Sequence, residues 1–249
     1  MKSFFSTLSL AALCLGAFSA LSQAKTAPAG KNVLAKKPPQ VHLYTEFIEI
    51  SSLEFAGLMS ATSNDSDHTT MRNKLLKQVK DGKATLVASN SIICRSGERC
   101  TSESIREYIY PTEYQPPSLP GNGLPGWNKT KPSVVDFPPL ATAFETRNLG
   151  LTVEIEPIIG EDRKTIELTF KPELIKHVGD EVFLDWNTPK VASKSKMPTF
   201  YTLRINTSLT ISDGQFVLAS ALTPELDGKP DHTKKVLVFV KATVLKLGK

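Results

Sequence analysis

The residues that could do acid–base or metal chemistry are spread along this chain rather than grouped. None of the four histidines has a neighbour at metal-ligand spacing, and the chain has no Gly-x-Ser-x-Gly nucleophile elbow. Several glutamates alternate along strand-like segments, which is more typical of a solvated charged face than of a catalytic carboxylate pair. They are Glu46, Glu49, Glu154, Glu156 and Glu167. The sequence therefore predicts no catalytic residue, no metal site and no enzymatic activity.

Residues 121–126 spell the glycine pattern of a nucleotide-binding loop, but in an unsuitable setting. A dinucleotide site needs this pattern between a strand and a helix whose N-terminus points at phosphate. Here the segment follows no strand-like run, precedes no helical pattern and contains Pro125. It predicts an ordinary loop, and no cofactor is expected.

The N-terminus has the features of an export signal. Lys2 precedes an apolar stretch that ends in a small-residue cleavage site at Ala24. We expect residues 1–24 to be a signal peptide and residues 25–40 a flexible N-terminal arm. Loss of Lys2 lowers the formal charge from +5 to +4 (5 − 1 = 4). The lysines are scattered without interleaved aromatic residues, so no nucleic-acid partner is expected.

Two cysteines, Cys94 and Cys100, remain in the exported chain. An oxidising compartment favours a disulfide between them. Residues 95–99 form a connection of hairpin length, and facing residues of paired strands lie within disulfide reach. A zinc site is disfavoured because no histidine lies nearby to complete four ligands. A bond closing so short a loop is expected to contribute about 2 kcal/mol to stability.

Strand-like patterns dominate the rest of the chain, which we interpret as about eight or nine strands and one helix. The helix is expected between an N-cap at Asp67 and a stop at Gly82. Residues 236–240 are continuously apolar, as in a strand buried on both faces. The predicted fold class is mostly β, with antiparallel hairpins and one short α-helix.

Three hairpins and two irregular stretches are predicted. The hairpins join residues 84–94 to 100–110, residues 149–155 to 166–170, and residues 201–211 to 216–222. The last of these turns at Asp213 and Gly214, a strong hairpin signal. Residues 111–140 are rich in proline and glycine and are expected to form a loop, and residues 190–198 a polar linker.

Four segments, taken in order, resemble the secretin family of outer-membrane pores. The first is the strand 41–50, and the second, residues 106–114, contains a Tyr-Pro-Thr-Glu-Tyr signature. The third, residues 144–160, has a strand led by Gly150 that ends in Ile-Glu-Pro-Ile around Pro157. The fourth, residues 204–222, contains an Asp-Gly-Gln turn at Asp213, Gly214 and Gln215. The divergent secretin-domain subgroup of bacteria related to Verrucomicrobia and Planctomycetes is the most similar.

The resemblance implies a secretin-like β domain over residues 41–249, in a type II or type III secretion system or a type IV pilus apparatus. It implies a homo-oligomer, contact with the outer membrane, and partners among the other secretion or pilus machinery proteins. The expected location is the outer membrane or periplasm. Eight or nine strands cannot enclose a protein-sized channel, so many copies would have to share one pore. The alternative is a truncated relative that acts as a soluble periplasmic binding or scaffold protein.

Overall fold

The computed structural model describes residues 38–61, 66–115, 139–187 and 192–245. The predicted signal peptide and most of the predicted N-terminal arm and proline-rich loop lie outside these residues. The described elements, in chain order, are β1 (Gln40–Ser51), α1 (Ser52–Ala61), α2 (Thr69–Lys80), β2 (Thr85–Arg95), β3 (Cys100–Gln115), β4 (Leu140–Ile159), β5 (Thr165–Asn187), β6 (Ala192–Arg204), β7 (Thr207–Ser212), β8 (Phe216–Leu222), β9 (Glu225–Leu226), β10 (Lys229–Pro230) and β11 (Lys234–Leu245).

The strands form two main antiparallel sheets. A four-stranded sheet has the order β2-β1-β11-β8, and a five-stranded sheet has the order β3-β4-β5, with β6 and β7 pairing one after the other along the outer edge of β5. A small β9–β10 hairpin is separate. The predicted fold class, mostly β with antiparallel hairpins, is confirmed. The hairpin of β4 and β5 is also present, with Ile159 opposite Ile166 at its turn.

The two sheets pack face to face around one apolar core. Alternate residues of β4 and β5 point into it, as the period of two in their sequences predicts. The largest fully buried examples are Ile155, Ile166, Leu168 and Phe170. On β11, Val238 faces this core while Leu237 and Phe239 face a second core beneath the helices. The prediction that this strand is buried on both faces is confirmed.

Helix α2 lies on the outer side of the four-stranded sheet. Its N-cap is His68, one residue after the predicted cap Asp67, and the Asp67 carboxylate accepts a hydrogen bond from Thr69 N (2.9 Å). The Thr69 hydroxyl, and then this backbone bond, lowers the pKa of Asp67. The helix ends at Lys80, followed by the predicted stop Gly82, whose φ is +71°.

Helix α1 is a second helix that the sequence analysis does not predict. Apolar residues lie on all its sides, so its sequence has no helical periodicity to detect. Leu58 is buried in the second core, whereas Leu53 is 85% exposed. A hydrogen bond from Glu54 N to Ser51 Oγ (3.2 Å) helps to start the helix.

A buried ion pair fixes α2 to the sheet. Glu46 on β1 is 1% exposed, and its carboxylate accepts two hydrogen bonds from Arg72, at 2.6 and 2.5 Å. The bond to Glu46 raises the pKa of the Arg72 guanidinium. Burial, and then the hydrogen bond to Glu46, raises the pKa of neighbouring Tyr44. This pair is a buried polar link between the helical layer and the sheet.

The first predicted hairpin, between residues 84–94 and 100–110, is wrong. β2 pairs with β1 and β3 pairs with β4, so the two strands belong to different sheets. The connection passes from one layer to the other, held by hydrogen bonds from Gly97 N to Pro157 O (2.8 Å) and from Ile159 N to Ser96 Oγ (2.9 Å). A short, glycine-containing connection suits a crossing between two sheets as well as it suits a hairpin turn.

The third predicted hairpin is wrong for the same reason. β7 pairs with β5 and β8 pairs with β11, so the turn at Asp213 crosses between sheets. Asp213 N donates to Lys164 O (2.7 Å), while Val244 N donates to its Oδ1 (2.8 Å). The strand predicted over residues 201–211 is nearly continuous. β6 and β7 both pair with the same edge of β5, and only residues 205–206 interrupt the strand.

Parts of both predicted irregular stretches are strands. Residues 111–115 continue β3, and β4 begins at Leu140. Pro111 is tolerated because β3 is an edge strand and its register shifts between Pro111 and Glu113. Residues 192–198 belong to β6, where they pair with the far end of β5. Residues 116–138 lie outside the described residues.

Candidate functional site: two arms of a branched sheet

The five-stranded sheet branches halfway along its length. Pairing between β4 and β5 runs from Ile159–Ile166 only as far as Gly150–Ile175. Beyond that point each strand keeps its other partner, so two separate hairpins extend from the sandwich. We call residues 106–115 with 140–149 the first arm, and residues 176–187 with 192–201 the second arm. The part of the sheet within the sandwich is called the base.

Gly150 lies at the branch point, and its geometry requires glycine. Its φ is +125°, a conformation that residues with a side chain rarely adopt. A Cβ at this position would lie 2.2 Å from Ser104 O on the neighbouring strand. Gly150 belongs to the family motif, and the backbone geometry at the branch is the physical reason for a glycine there.

The two arms contact each other near the branch through a cluster of four rings. Tyr108 of the first arm stacks on His177 of the second at 5.0 Å between ring centroids. Phe200 packs against Tyr108 at 5.9 Å and against Tyr110 at 5.6 Å. Asp180 is paired with His177, with 2.8 Å between Oδ1 and Nε2. The arms are therefore stacked on one another rather than joined as one sheet.

Farther from the branch, both arms expose large apolar side chains. In the base most such side chains are buried, with Ile158 (47% exposed) as an exception, whereas here Phe144 is 60% exposed and Phe183 is 67% exposed. Such exposure along neighbouring strands marks a surface suited to a protein partner or a lipid. The other exposed apolar residues of the arms are Ile109, Leu140 and Val182.

The outer face of the base carries charged pairs instead. Lys171 Nζ donates to Glu154 Oε1 at 3.0 Å, and this bond lowers the pKa of Glu154. Arg99 lies 3.5 Å from Glu156. Glu154 and Glu156 therefore belong to a network of ion pairs on a solvated face, as expected. The same expectation is wrong for Glu46, which is buried beneath α2 and paired with Arg72.

The predicted site residues are distributed along the sandwich rather than gathered at one place. Cys94 of β2 and Cys100 of β3 form the expected disulfide, which links the two sheets. Pro157 is buried and lies beyond the end of the β3–β4 pairing, where the strand can accommodate a residue without an N–H. Gly214 and Gln215 complete the turn after β7, with Gly214 N donating to Ala242 O (2.8 Å).

Sequence reasoning misses the arms and the aromatic cluster. The lengths of β4 and β5, 20 and 23 residues, become visible only in the structure. Strands in globular proteins are usually about 3–10 residues long, so such lengths indicate a projection beyond the core.

The described part of the chain contains no group of three or more His, Cys, Asp or Glu residues arranged to hold a metal ion. Among the same residues, neither helix is long and apolar enough to cross a membrane.

No protein-family model matches the chain, and no curated protein is similar to it in sequence. Among solved structures, ExeD of Aeromonas hydrophila aligns with a TM-score of 0.43 and 13% identity, over 85% of this chain and 50% of that one. The type II secretion system secretin GspD of Escherichia coli gives 0.42 and 11%, over 86% and 52%. The Salmonella type III secretion injectisome secretin InvG gives 0.43 and 11%, over 87% and 67%.

The chain spans about half the length of the ExeD and GspD chains with which it aligns.

Proposed function

We propose that this chain is a secretin-like, non-enzymatic component of a type II or type III secretion system or a type IV pilus apparatus. It oligomerises at the outer membrane and serves protein secretion. The observation that carries the proposal is the pair of β-arms with exposed apolar side chains. The four segments that resemble secretins support it independently, since Gly150 of the third segment lies at the branch from which the arms extend.

The arms have the length that a membrane-crossing strand requires. A tilted strand needs about 9–11 residues to cross the hydrocarbon layer. Each strand of the two arms extends about ten residues beyond the branch, a length that matches this requirement. Phe144 and Phe183, one on each arm, offer apolar surface for lipid or for a neighbouring copy.

The strand directions suit a ring of identical copies. Each arm consists of two antiparallel strands, so its two edges run in opposite directions. Copies related by rotation can then pair edge to edge with antiparallel geometry, as in a closed ring. Many copies would line one pore, because the strands of one copy cannot enclose a protein-sized channel. Other secretion or pilus proteins would be the remaining partners.

The proposed location follows from the predicted domain organisation. Residues 1–24 act as the export signal, residues 25–40 as the N-terminal arm, and residues 41–249 as the secretin-like domain. The Cys94–Cys100 bond between the two sheets suits an oxidising compartment such as the periplasm.

The test is fractionation of the native host's envelope, followed by denaturing gels of unheated samples. A large SDS-resistant species in the outer-membrane fraction is the expected result. Phe144→Lys and Phe183→Lys together should move the protein out of that fraction, because each charge would have to be buried in lipid or at an interface. Leu53→Lys is the matched control, since Leu53 is 85% exposed on α1, outside the arms.

The alternative function is a soluble periplasmic binding or scaffold protein without a pore. The second arm favours it, because its far end carries exposed charges, including an ion pair of 3.1 Å between Lys194 and Asp185. A monomer released with the soluble periplasm, unaffected by the two lysine substitutions, would overturn the secretin-like function and leave this alternative.

A further inference from the structure

The four-stranded sheet has two outer edges, and they differ in what covers them. β2 forms one edge, and no strand pairs with its outer side within the described residues. Residues 85–94 of this strand carry no charge, and Ile93 is 57% exposed. A strand edge without charge or proline is a template for pairing with another chain. β2 is therefore an open edge.

The start of helix α2 covers the first residues of the other edge, β8. His68 N donates to Phe216 O at 2.8 Å. Thr69 Oγ1 accepts a hydrogen bond from Phe216 N at 3.1 Å, and His68 Nδ1 accepts one from Leu218 N at 3.3 Å. An added strand would need these same backbone groups. We call His68 and Thr69 the edge guard.

The edge guard is anchored by the buried ion pair one turn farther along α2. Arg72 binds Glu46 of β1 with two hydrogen bonds, and its guanidinium carbon lies 4.4 Å from the centre of the Phe216 ring. Phe216 is thus held through its backbone by the guard and through its ring by Arg72. The guard is part of a packed structure rather than a loose end.

We infer that the edge guard is an autoinhibitory contact that keeps β8 closed until a second copy of this chain adds its open β2 edge there. This inference rests on the proposed function, since it concerns how copies join. The four strands alternate in direction, so β2 of a rotation-related copy is antiparallel to β8. Neither β8 nor residues 85–94 carry a charge, so no like-charge pair opposes this addition.

The test compares assembly of the full chain with that of a guard variant, His68→Ala with Thr69→Ala. Each protein is added to lipid vesicles, and SDS-resistant multimers are followed over time on unheated gels. We expect the guard variant to assemble about tenfold faster, because two hydrogen bonds no longer compete with strand addition. Thr70→Ala is the matched control, since Thr70 is exposed on the same helix, and it should assemble at the wild-type rate.

A charge at the open β2 edge should cancel the faster assembly of the guard variant. Ile93→Lys, added to the guard variant, is expected to return its assembly to the wild-type rate or below, because a lysine on an edge strand opposes pairing. A measurement on the wild type tests the inference without depending on whether the variants fold. The amides of β2 should exchange with deuterium more slowly in the multimer than in the monomer, since each would then be paired.

The outcomes separate this inference from the proposed function. A wild-type multimer with β2 amides no better protected than in the monomer, or a guard variant that assembles at the wild-type rate, overturns the edge guard alone. Absence of any multimer in the wild type and in all variants overturns the proposed function, and the guard with it.

Discussion

The base and the arms are made from the same strands in different surroundings. In the base, β4 and β5 are paired with each other and Phe170 is fully buried against the second sheet. In the arms the same two strands separate, and Phe144 and Phe183 are exposed. Because burial of apolar surface is the main stabilising term, the base holds the stability of the fold and the arms contribute little. The arms can therefore expose apolar surface to another molecule without weakening the fold.

The sharpest way to test this division is to truncate one phenylalanine in each region. Phe170→Ala should lower the free energy of unfolding by about 4 kcal/mol, because it leaves a cavity in the core. Phe144→Ala in the first arm should change it by less than about 0.5 kcal/mol. Urea denaturation of both variants measures the difference, and equal losses would contradict the division.

The helical layer should depend on its buried ion pair. Arg72→Met should cost about 3 kcal/mol, because Glu46 would remain buried without a partner. Replacing both residues, as Glu46→Leu with Arg72→Leu, should recover most of that loss. The same denaturation experiment applies, and a single variant as stable as the wild type would show that Glu46 finds another partner.

The branch point should be sensitive to a single methyl group. Gly150→Ala should lower the free energy of unfolding by about 2 kcal/mol, since it combines an unfavourable φ with a clash against the Ser104 carbonyl. Gly57→Ala is a control, because a Cβ at Gly57 meets no atom within 4 Å and φ there is ordinary. A tolerated Gly150→Ala would mean that the strands can branch without a glycine.

The disulfide should have an effect of similar size. Cys94→Ser with Cys100→Ser should reduce stability by about 2 kcal/mol, because the bond closes a loop of few residues. Thermal unfolding with and without reductant measures it. Reductant should destabilise the wild type but leave the double variant unchanged, and an equal response in both would show that the bond does not form.

The smallest expected effect concerns acid and the turn of the base. Backbone N–H groups of Lys164 and Thr165 and the Thr165 hydroxyl bind the Asp162 carboxylate and lower its pKa, the Lys164 bond most. A lowered folded-state pKa means that Asp162 contributes stability above its ordinary value near 3.8, and that this is lost as pH falls through the folded-state pKa. Asp162→Asn should therefore lose less stability than the wild type when the pH falls below about 4. Denaturation midpoints are measured for both proteins across that pH range. The same pH dependence in both would contradict a contribution from Asp162.

Local patterns gave the sequence analysis its successes, and connections between layers caused its errors. Alternating apolar residues identify β4 and β5, which are buried on one face. A continuous apolar run identifies β11, which is buried on both faces. The turns at residues 95–99 and at Asp213 were recognised as turns. Whether such a turn joins neighbours in one sheet or crosses to another depends on contacts made elsewhere, here with Pro157 and Val244.

The candidate site shows the same limit. Gly150 could be selected from its motif, but the separation of β4 from β5 depends on which strands stop pairing, and no local pattern records that. The ring cluster of Tyr108, His177 and Phe200 joins residues far apart in the chain. The helix α1 lacked periodicity because it is apolar on all sides.

Strand β5 runs without a break from the turn of the base to the far end of the second arm. Its 23 residues extend on the order of 70 Å, at about 3.3 Å per residue. A pull on the end of this arm is therefore transmitted along a single strand into the base. There the hydrogen bonds to β4 and β7 lie across the direction of force, so they resist it together, in shear, rather than opening one after another. A pulling force on the second arm is thus resisted by the buried part of the base.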